Sequence, residues 1–179
     1  METEYEVKIL DIDTDNVIKL LKKIGAKKIA ERCMRRYVYD LKLDKENKCG
    51  KWIRLRDNGE KVTLAVKDII HKGIDGTKEI EVEVKDFEKT NKLIKEIGFS
   101  PQSYQENKRV SYKLGDIDFE IDTWPKIPSY LEIEGKSIED VKKAVQLLGF
   151  KKEDTTSIGV TDVFKKYGLD INKFKELKF

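Results

Sequence analysis

Six segments of this chain alternate charged and apolar residues with a two-residue period, and the charged face of each carries almost a single sign. Glu4, Glu6 and Lys8 oppose Tyr5, Val7 and Ile9. Arg54 and Arg56 oppose Ile53 and Leu55, and Lys67 lies on the Thr63 and Ala65 face, opposite Leu64 and Val66. Glu79, Glu81 and Glu83 oppose Ile80, Val82 and Val84. Asp118, Glu120 and Asp122 oppose Ile117, Phe119 and Ile121, and Glu132 and Glu134 oppose Leu131 and Ile133. Side chains of a strand point alternately to its two faces, so this period predicts β structure. A solvated sheet face explains any one such strand. It does not require strands that are acid-only or base-only. If the apolar faces pack against helices, the charged faces all point the same way, and closing the sheet turns them inward around a polar lumen.

Helices are available for that packing. Residues 4–26, 79–99 and 130–150 share one grammar: an alternating strand, an Asp or Ser N-cap, apolar residues at helical spacing, and a terminal glycine (Gly25, Gly98, Gly149). Further strands are expected at 35–43, at 51–57 and 61–68 around Asn58-Gly59, and at 108–115 and 117–124 around Gly115-Asp116. The stretch 71–76 reads as loop. The expected fold is α+β: a closed antiparallel β-barrel, or tunnel, of about eight strands with helices packed outside. One domain spans 1–179, with the barrel and its helices in about 1–150 and a helical tail at about 160–179.

Composition narrows the function. The 179 residues suit a single core. Mean hydropathy is −0.60 and no apolar run reaches the ~20 residues of a membrane span, so no membrane partner is expected. The charged start METEYEVKIL is unlike a signal peptide, and Cys33 and Cys49 have no CxxC partner, which suits a reducing cytoplasm. Charged residues make up 40% of the chain but the net charge is only +3, without the one-sided excess of a nucleic-acid binder. Of 37 Lys and Arg residues only six are Arg: Arg32, Arg35, Arg36, Arg54, Arg56 and Arg109. Arginine is the planar fork that grips phosphate, so its sparing placement marks positions to follow. Clustered carboxylates invite a hard divalent cation, Mg²⁺ or Mn²⁺, which commonly combines a few carboxylates with substrate phosphates. A lumen holding both sets matches a metal–triphosphate complex.

The residues resemble a known family. EYEVK at 4–8 fits the ExExK signature of the CYTH superfamily, the triphosphate tunnel metalloenzymes, and it is followed in order by WIRLRD, TLAVK, EIEVEV, KRVSY, FEID and YLEIEG. The likeness runs from residue 4 to about 135 and is greatest to the CyaB-type class IV adenylate cyclases. It implies that Glu4 and Glu6 are metal-site carboxylates and that Lys8 touches phosphate or tunes the site, with Glu6 and Lys8 as the catalytic pair. It implies that Arg54, Arg56, Lys67 and Arg109 hold the triphosphate, with Lys108 as a helper. Glu81, with Glu79 or Glu83 as alternatives, would join Asp122, Glu132 and Glu134 as metal ligands. The implied activity is conversion of ATP to cyclic AMP and pyrophosphate. The alternatives are a triphosphatase acting on inorganic, thiamine or nucleoside triphosphate, and a non-catalytic polyphosphate or nucleotide binder. A monomer or homodimer is expected.

Other features read as structural. His71, the only histidine, falls in a loop, which rules out a histidine-rich metal site. Tyr37, Tyr39, Trp52 and Trp124 read as packing residues. The Arg32, Arg35, Arg36 cluster is either a surface patch or reaches the tunnel mouth, and Arg36 lies off the Tyr37/Tyr39 face.

Overall fold

The computed structural model describes residues 1–41 and 50–179. Eight strands form the barrel: β1 (Glu2–Ile9), β2 (Lys27–Asp40), β3 (Lys51–Asp57), β4 (Val62–Ile69), β5 (Thr77–Val84), β6 (Ser103–Leu114), β7 (Ile117–Thr123) and β8 (Tyr130–Gly135). Their order is β6-β2-β3-β4-β5-β1-β8-β7, and β6 pairs with β7 to close the ring. Every pairing within the ring is antiparallel.

Three helices follow the repeated grammar. They are α1 (Thr14–Lys23), α2 (Phe87–Glu96) and α3 (Ile138–Leu147). Asp13, Asp86 and Ser137 accept hydrogen bonds from the backbone N–H groups of Asn16, Lys89 and Asp140, satisfying donors that the first helical turn leaves free. Each helix stops before a glycine at positive φ: Gly25 at 84°, Gly98 at 102° and Gly149 at 83°. A β-carbon is strained there, which is why glycine ends all three. The strands that open these units, β5, β1 and β8, lie side by side.

The outer apolar faces are covered unevenly. Helices α1 and α3 bury Val17, Leu21, Val141 and Val145 against Val7, Ile9, Phe119, Ile121, Leu131 and Ile133. Helix α2 contributes Phe87 and Ile94 to a second cluster with Tyr39 and Leu55. The outer face of β5 has no such cover, and Ile80 and Val82 are each 53% exposed.

Two strands are longer than the sequence pattern indicates. β2 begins at Lys27 and β6 at Ser103, because the early half of each pairs antiparallel with the late half of the other, from Lys27↔Lys113 to Val38↔Ser103. That long-range pairing overrides weak local alternation. Residues 42 and 43 of the expected 35–43 strand, and Cys49, lie outside the described residues. The expected helical tail contains one α-helix, α4 (Val160–Lys166), and a 3₁₀ turn at Ile171–Lys173, with two-residue strands on either side, β9 (Thr155–Thr156) and β10 (Glu176–Leu177). β9 pairs with β1 and β10 runs parallel to β6, so the tail straps one end of the barrel. It packs Val163, Phe164, Ile171 and Leu177 onto Trp124, Ile127 and Tyr130.

Candidate active site

The barrel encloses a cavity of ≈ 1130 Å³, and its lining is split by sign. The split follows from pleat and strand order together. Within each strand the pleat sends one residue in two inward. Around the ring, β6, β2, β3 and β4 are neighbours, and they present Arg109, Arg36, Arg54, Arg56 and Lys67. The other four neighbours, β5, β1, β8 and β7, present Glu79, Glu81, Glu4, Glu6, Glu132, Glu134, Glu120 and Asp122. A basic wall therefore faces an acidic one. Lys8 is the single base set into the acidic wall.

The walls neutralise each other across the lumen and at their seams. Arg54 reaches Glu79 at 2.7 Å and Glu81 at 3.0 Å, and Arg56 reaches Glu81 at 3.2 Å. Lys67 lies 2.7 Å from Glu4 and 3.5 Å from Glu79. At the other seam Arg109 donates from Nε to Asp122 at 2.9 Å and from Nη2 to Glu132 at 3.0 Å. Lys8 sits between Glu6 at 2.7 Å and Glu132 at 3.1 Å. Burial alone would strip the Lys8 proton, but Glu132 and Glu6 outweigh it and hold the ammonium.

Eleven of the twelve expected site residues line this cavity. Lys108 is the correction. It is exposed on the outer face of β6, its Nζ 4.5 Å from the centre of the Phe179 ring. Next to Arg109 in sequence, it falls on the opposite side of the pleat, so it cannot reach the lumen. Among the three glutamates of β5, both Glu79 and Glu81 bind Arg54, and Glu79 also meets Lys67. Tyr37 and Tyr39 face outward, where Tyr37 stacks on Phe87 and Tyr39 donates to Asn91. His71 is an exposed loop residue.

The structure adds lumen residues that sequence reasoning did not place there: Gln105, Trp124 and Tyr130 line the cavity. Trp124 Nε1 donates to the Tyr130 hydroxyl at 2.9 Å. Of the arginine cluster, Arg36 lines the tunnel, Arg32 binds Glu60 at 2.8 Å, and Arg35 turns outward to Asp57 and the Phe87 ring. Parity along β2 was the available signal for Arg36, which lies opposite the outward-facing Tyr37 and Tyr39.

Like charges crowd both walls. Burial, then Arg54 and Arg56, pull Arg36 down to about 9, and burial, then Arg54 and Arg109, pull Arg56 down to about 10. Burial, then Glu132 and Glu6, push Glu134 up to about 7. Burial and a hydrogen bond to Glu79 push Glu4 up to about 8. Burial resists ionisation of Glu79 as well, yet its bonds with Glu4 and Arg54 hold it down to about 2.

The raised carboxyls have a consequence for stability. Between the ordinary Glu value and the folded values of Glu134 and Glu4, the folded state binds more protons than the unfolded one. Stability therefore falls as pH rises through that window. In thermal melts with chelator present, the melting temperature should fall from about pH 5 to about pH 8. Glu134→Gln should flatten the fall. A melting temperature that climbs over this range would contradict the crowding.

Among the described residues, no three acidic or imidazole side chains converge as a closed metal site. The donor chemistry nonetheless fits a hard divalent cation. Glu6 and Glu134 are cross-strand partners on β1 and β8, and Glu132 follows Glu134 two residues back on the same face. These oxygens crowd one another enough to raise Glu134, a repulsion that a cation removes.

Residues 2–159 match the model of the CYTH domain family. The chain belongs to this family. A curated protein of Methanocaldococcus jannaschii, named "Putative adenylate cyclase", is 27% identical over 172 residues, covering 94% of this chain and 97% of its own. An adenylate cyclase candidate from Vibrio parahaemolyticus superposes with a TM-score of 0.77 at 14% identity, over 92% of this chain and 98% of its own. A Hippeastrum adenylyl cyclase candidate, described as having a dominant triphosphatase activity, superposes with a TM-score of 0.57 at 16% identity, over 97% of this chain and all of its own. At these identities the two structural likenesses are of fold. The CYTH barrel of this chain has no helix, among the described residues, that is long and apolar enough to cross a membrane.

Proposed function

We propose that the tunnel is the active site of an enzyme that acts on a triphosphate with Mg²⁺ or Mn²⁺, in the manner of a class IV adenylate cyclase. The observation that carries this reading is the division of one lumen into a basic and an acidic wall. A protein that only bound an anion would need the first wall alone.

The basic wall binds and orients the phosphates. Arg54, Arg56, Lys67 and Arg109 exchange carboxylate partners for phosphate oxygens and oppose the charge that builds on the transferring and leaving groups. Glu6, Glu132 and Glu134, with Glu4 and Asp122 beside them, would hold the metal. Bound there, the metal would supply Lewis acidity at the reacting oxygens. Lys8 stands between Glu6 and Glu132 and offsets part of the negative charge of the acidic wall. In the cyclase reaction the ribose 3′-oxygen forms a bond to the α-phosphorus and loses its proton to water in the tunnel. The bond from that phosphorus to the bridging oxygen breaks, and pyrophosphate leaves with the electron pair.

A second reading is hydrolysis of the terminal phosphate by water in the same tunnel. Its support is the lining itself, whose charged groups suit phosphate and metal without needing a nucleobase, together with the activity described for the Hippeastrum protein. Incubation with Mg²⁺ or Mn²⁺ and either ATP, tripolyphosphate or thiamine triphosphate separates the readings. Cyclic AMP with pyrophosphate supports the first, and orthophosphate the second. No turnover with any of them would reject both and leave a binding protein. Arg56→Ala should raise the KM for the substrate about ten- to a hundredfold, because one charge-assisted contact is lost. Unchanged kinetics would place Arg56 outside the phosphate path.

A further inference from the structure

The basic wall contains one residue that the family resemblance does not assign. Four of its five bases meet carboxylates: Arg54, Arg56, Lys67 and Arg109. Arg36 makes no ion pair among the described residues. It is 8% exposed and lines the tunnel, with Arg56 beside it on β3 and Gln105 across from it on β6. Arg36 and Arg56 are direct cross-strand partners, and β6 with Arg109 flanks β2 on its other edge. Without Arg36, β2 would leave a gap in the basic arc.

Its orientation is set on two sides. Nη2 donates to Asn107 Oδ1, and Asn107 Nδ2 in turn donates to Asp122 Oδ1 at 2.8 Å. The guanidinium lies over the Trp124 ring, 4.7 Å from its centre. Trp124 is itself braced edge-on by Phe164 of the tail, at 5.9 Å. Arg36 Nε is buried without a partner, as are the Nε atoms of Arg54 and Arg56. Three neighbouring guanidinium groups thus keep donors unspent in a place where solvent does not reach them. A buried cation without a counter-charge is costly, and one held in register by an amide and an indole is preorganised for an anion.

We propose that Arg36 binds the terminal phosphoryl group of the substrate, and so makes the tunnel select a triphosphate over a diphosphate. This rests on the reading of the tunnel as a triphosphate site. A diphosphate is short enough to be held by part of the arc, through bases that must first release carboxylates. A third phosphoryl group spans onward to Arg36, which gives up no ion pair to receive it. Trp124 and Phe164 then close the path behind it.

Calorimetric titration of the whole chain with tripolyphosphate and with pyrophosphate, Mg²⁺ present, tests this. Arg36→Gln should weaken tripolyphosphate binding about ten- to a hundredfold, the worth of a charge-assisted hydrogen bond. Pyrophosphate binding should stay within about twofold. Arg36→Lys, which keeps the charge and loses the fork, should fall between and guards against a folding failure of the first variant. Melting without any anion supplies a second readout. A binding role leaves Arg36→Gln as stable as the parent or more so, since repulsion from Arg54 and Arg56 is relieved. Equal losses for both ligands would overturn the selectivity, and a lowered melting temperature with tripolyphosphate affinity retained would make Arg36 a strut. Tripolyphosphate binding that is unchanged in both variants overturns Arg36 alone. A parent protein that binds neither ligand overturns the tunnel reading itself, and Arg36 with it.

Discussion

Glu6→Gln is expected to abolish metal-dependent turnover, by at least about a hundredfold, while the protein stays folded. Glu6 accepts the Lys8 ammonium at 2.7 Å and lies across from Glu134 on the neighbouring strand. The amide keeps the shape and an oxygen for Lys8 but removes a negative charge from the acidic wall. Lys8 retains Glu132 at 3.1 Å, so its charge is not left without a partner and the barrel has no reason to open. One repelling neighbour of Glu134 also disappears, which acts toward stability in the metal-free protein. Turnover should be compared under saturating metal, and melting under chelator. The expected signature is lost activity with an unchanged or raised melting temperature. Activity near that of the parent would remove Glu6 from the metal site.

Arg109→Ala is expected to have the largest effect on folding. Arg109 donates to Asp122 and Glu132 and lies 3.9 Å from Glu120. Asp122 is only 1% exposed. Burial opposes the charge on Arg109, yet Asp122 and Glu132 more than compensate and hold it protonated far beyond the usual range. Removing the guanidinium leaves those carboxylates in a space that water enters poorly. Breaking a buried pair from one side costs about 3–5 kcal/mol. That is a large share of the ~5–15 kcal/mol of a typical domain. Chemical denaturation should show the loss at neutral pH. It should shrink as pH falls, because the stranded carboxylates then take up protons. A loss under about 1 kcal/mol at pH 7 would show that water or Lys8 serves these acids as well as Arg109 does.

The two variants differ for a reason that lies in the barrel rather than in the chemistry of either residue. Glu6 faces a base that has a second acid to turn to. Arg109 is shared by three acids, and among the described residues Asp122 hydrogen-bonds through its side chain to Arg109 and the Asn107 amide alone. A list of charged residues does not distinguish these cases, and the pairing register does.

Much of this arrangement is legible in the amino-acid sequence. The alternation of Glu79, Glu81 and Glu83 with Ile80, Val82 and Val84 defines a strand and its two faces. Asp13, Asp86 and Ser137 with Gly25, Gly98 and Gly149 define three helices with their ends, since capping and positive φ depend on single residues and their near neighbours. The ordered motifs pick out twelve candidate residues, and eleven of them face the lumen. Lys108 failed because two adjacent bases on a strand cannot share a face, and the alternating pattern of Lys108-Arg109 alone does not say which is inside. The early half of β2 was hidden for a different reason. Lys27 to Cys33 has little alternation of its own and becomes strand by pairing with β6, about eighty residues away.

What the sequence determined by itself is local: which residues form strands, which face of each is charged, and with what sign. Those properties follow from the backbone period and from side-chain chemistry within a few residues. What only the tertiary structure decided is adjacency. The acidic strands β5, β1 and β8 are separated along the chain, and β6 is separated from the consecutive strands β2, β3 and β4. Antiparallel pairing and closure between β6 and β7 sort them into two contiguous walls, because the hydrogen-bond partners of a strand are set by the whole ring and not by its own residues. That sorting turned scattered charges into a basic arc facing an acidic one, and it brought Arg36 into the arc.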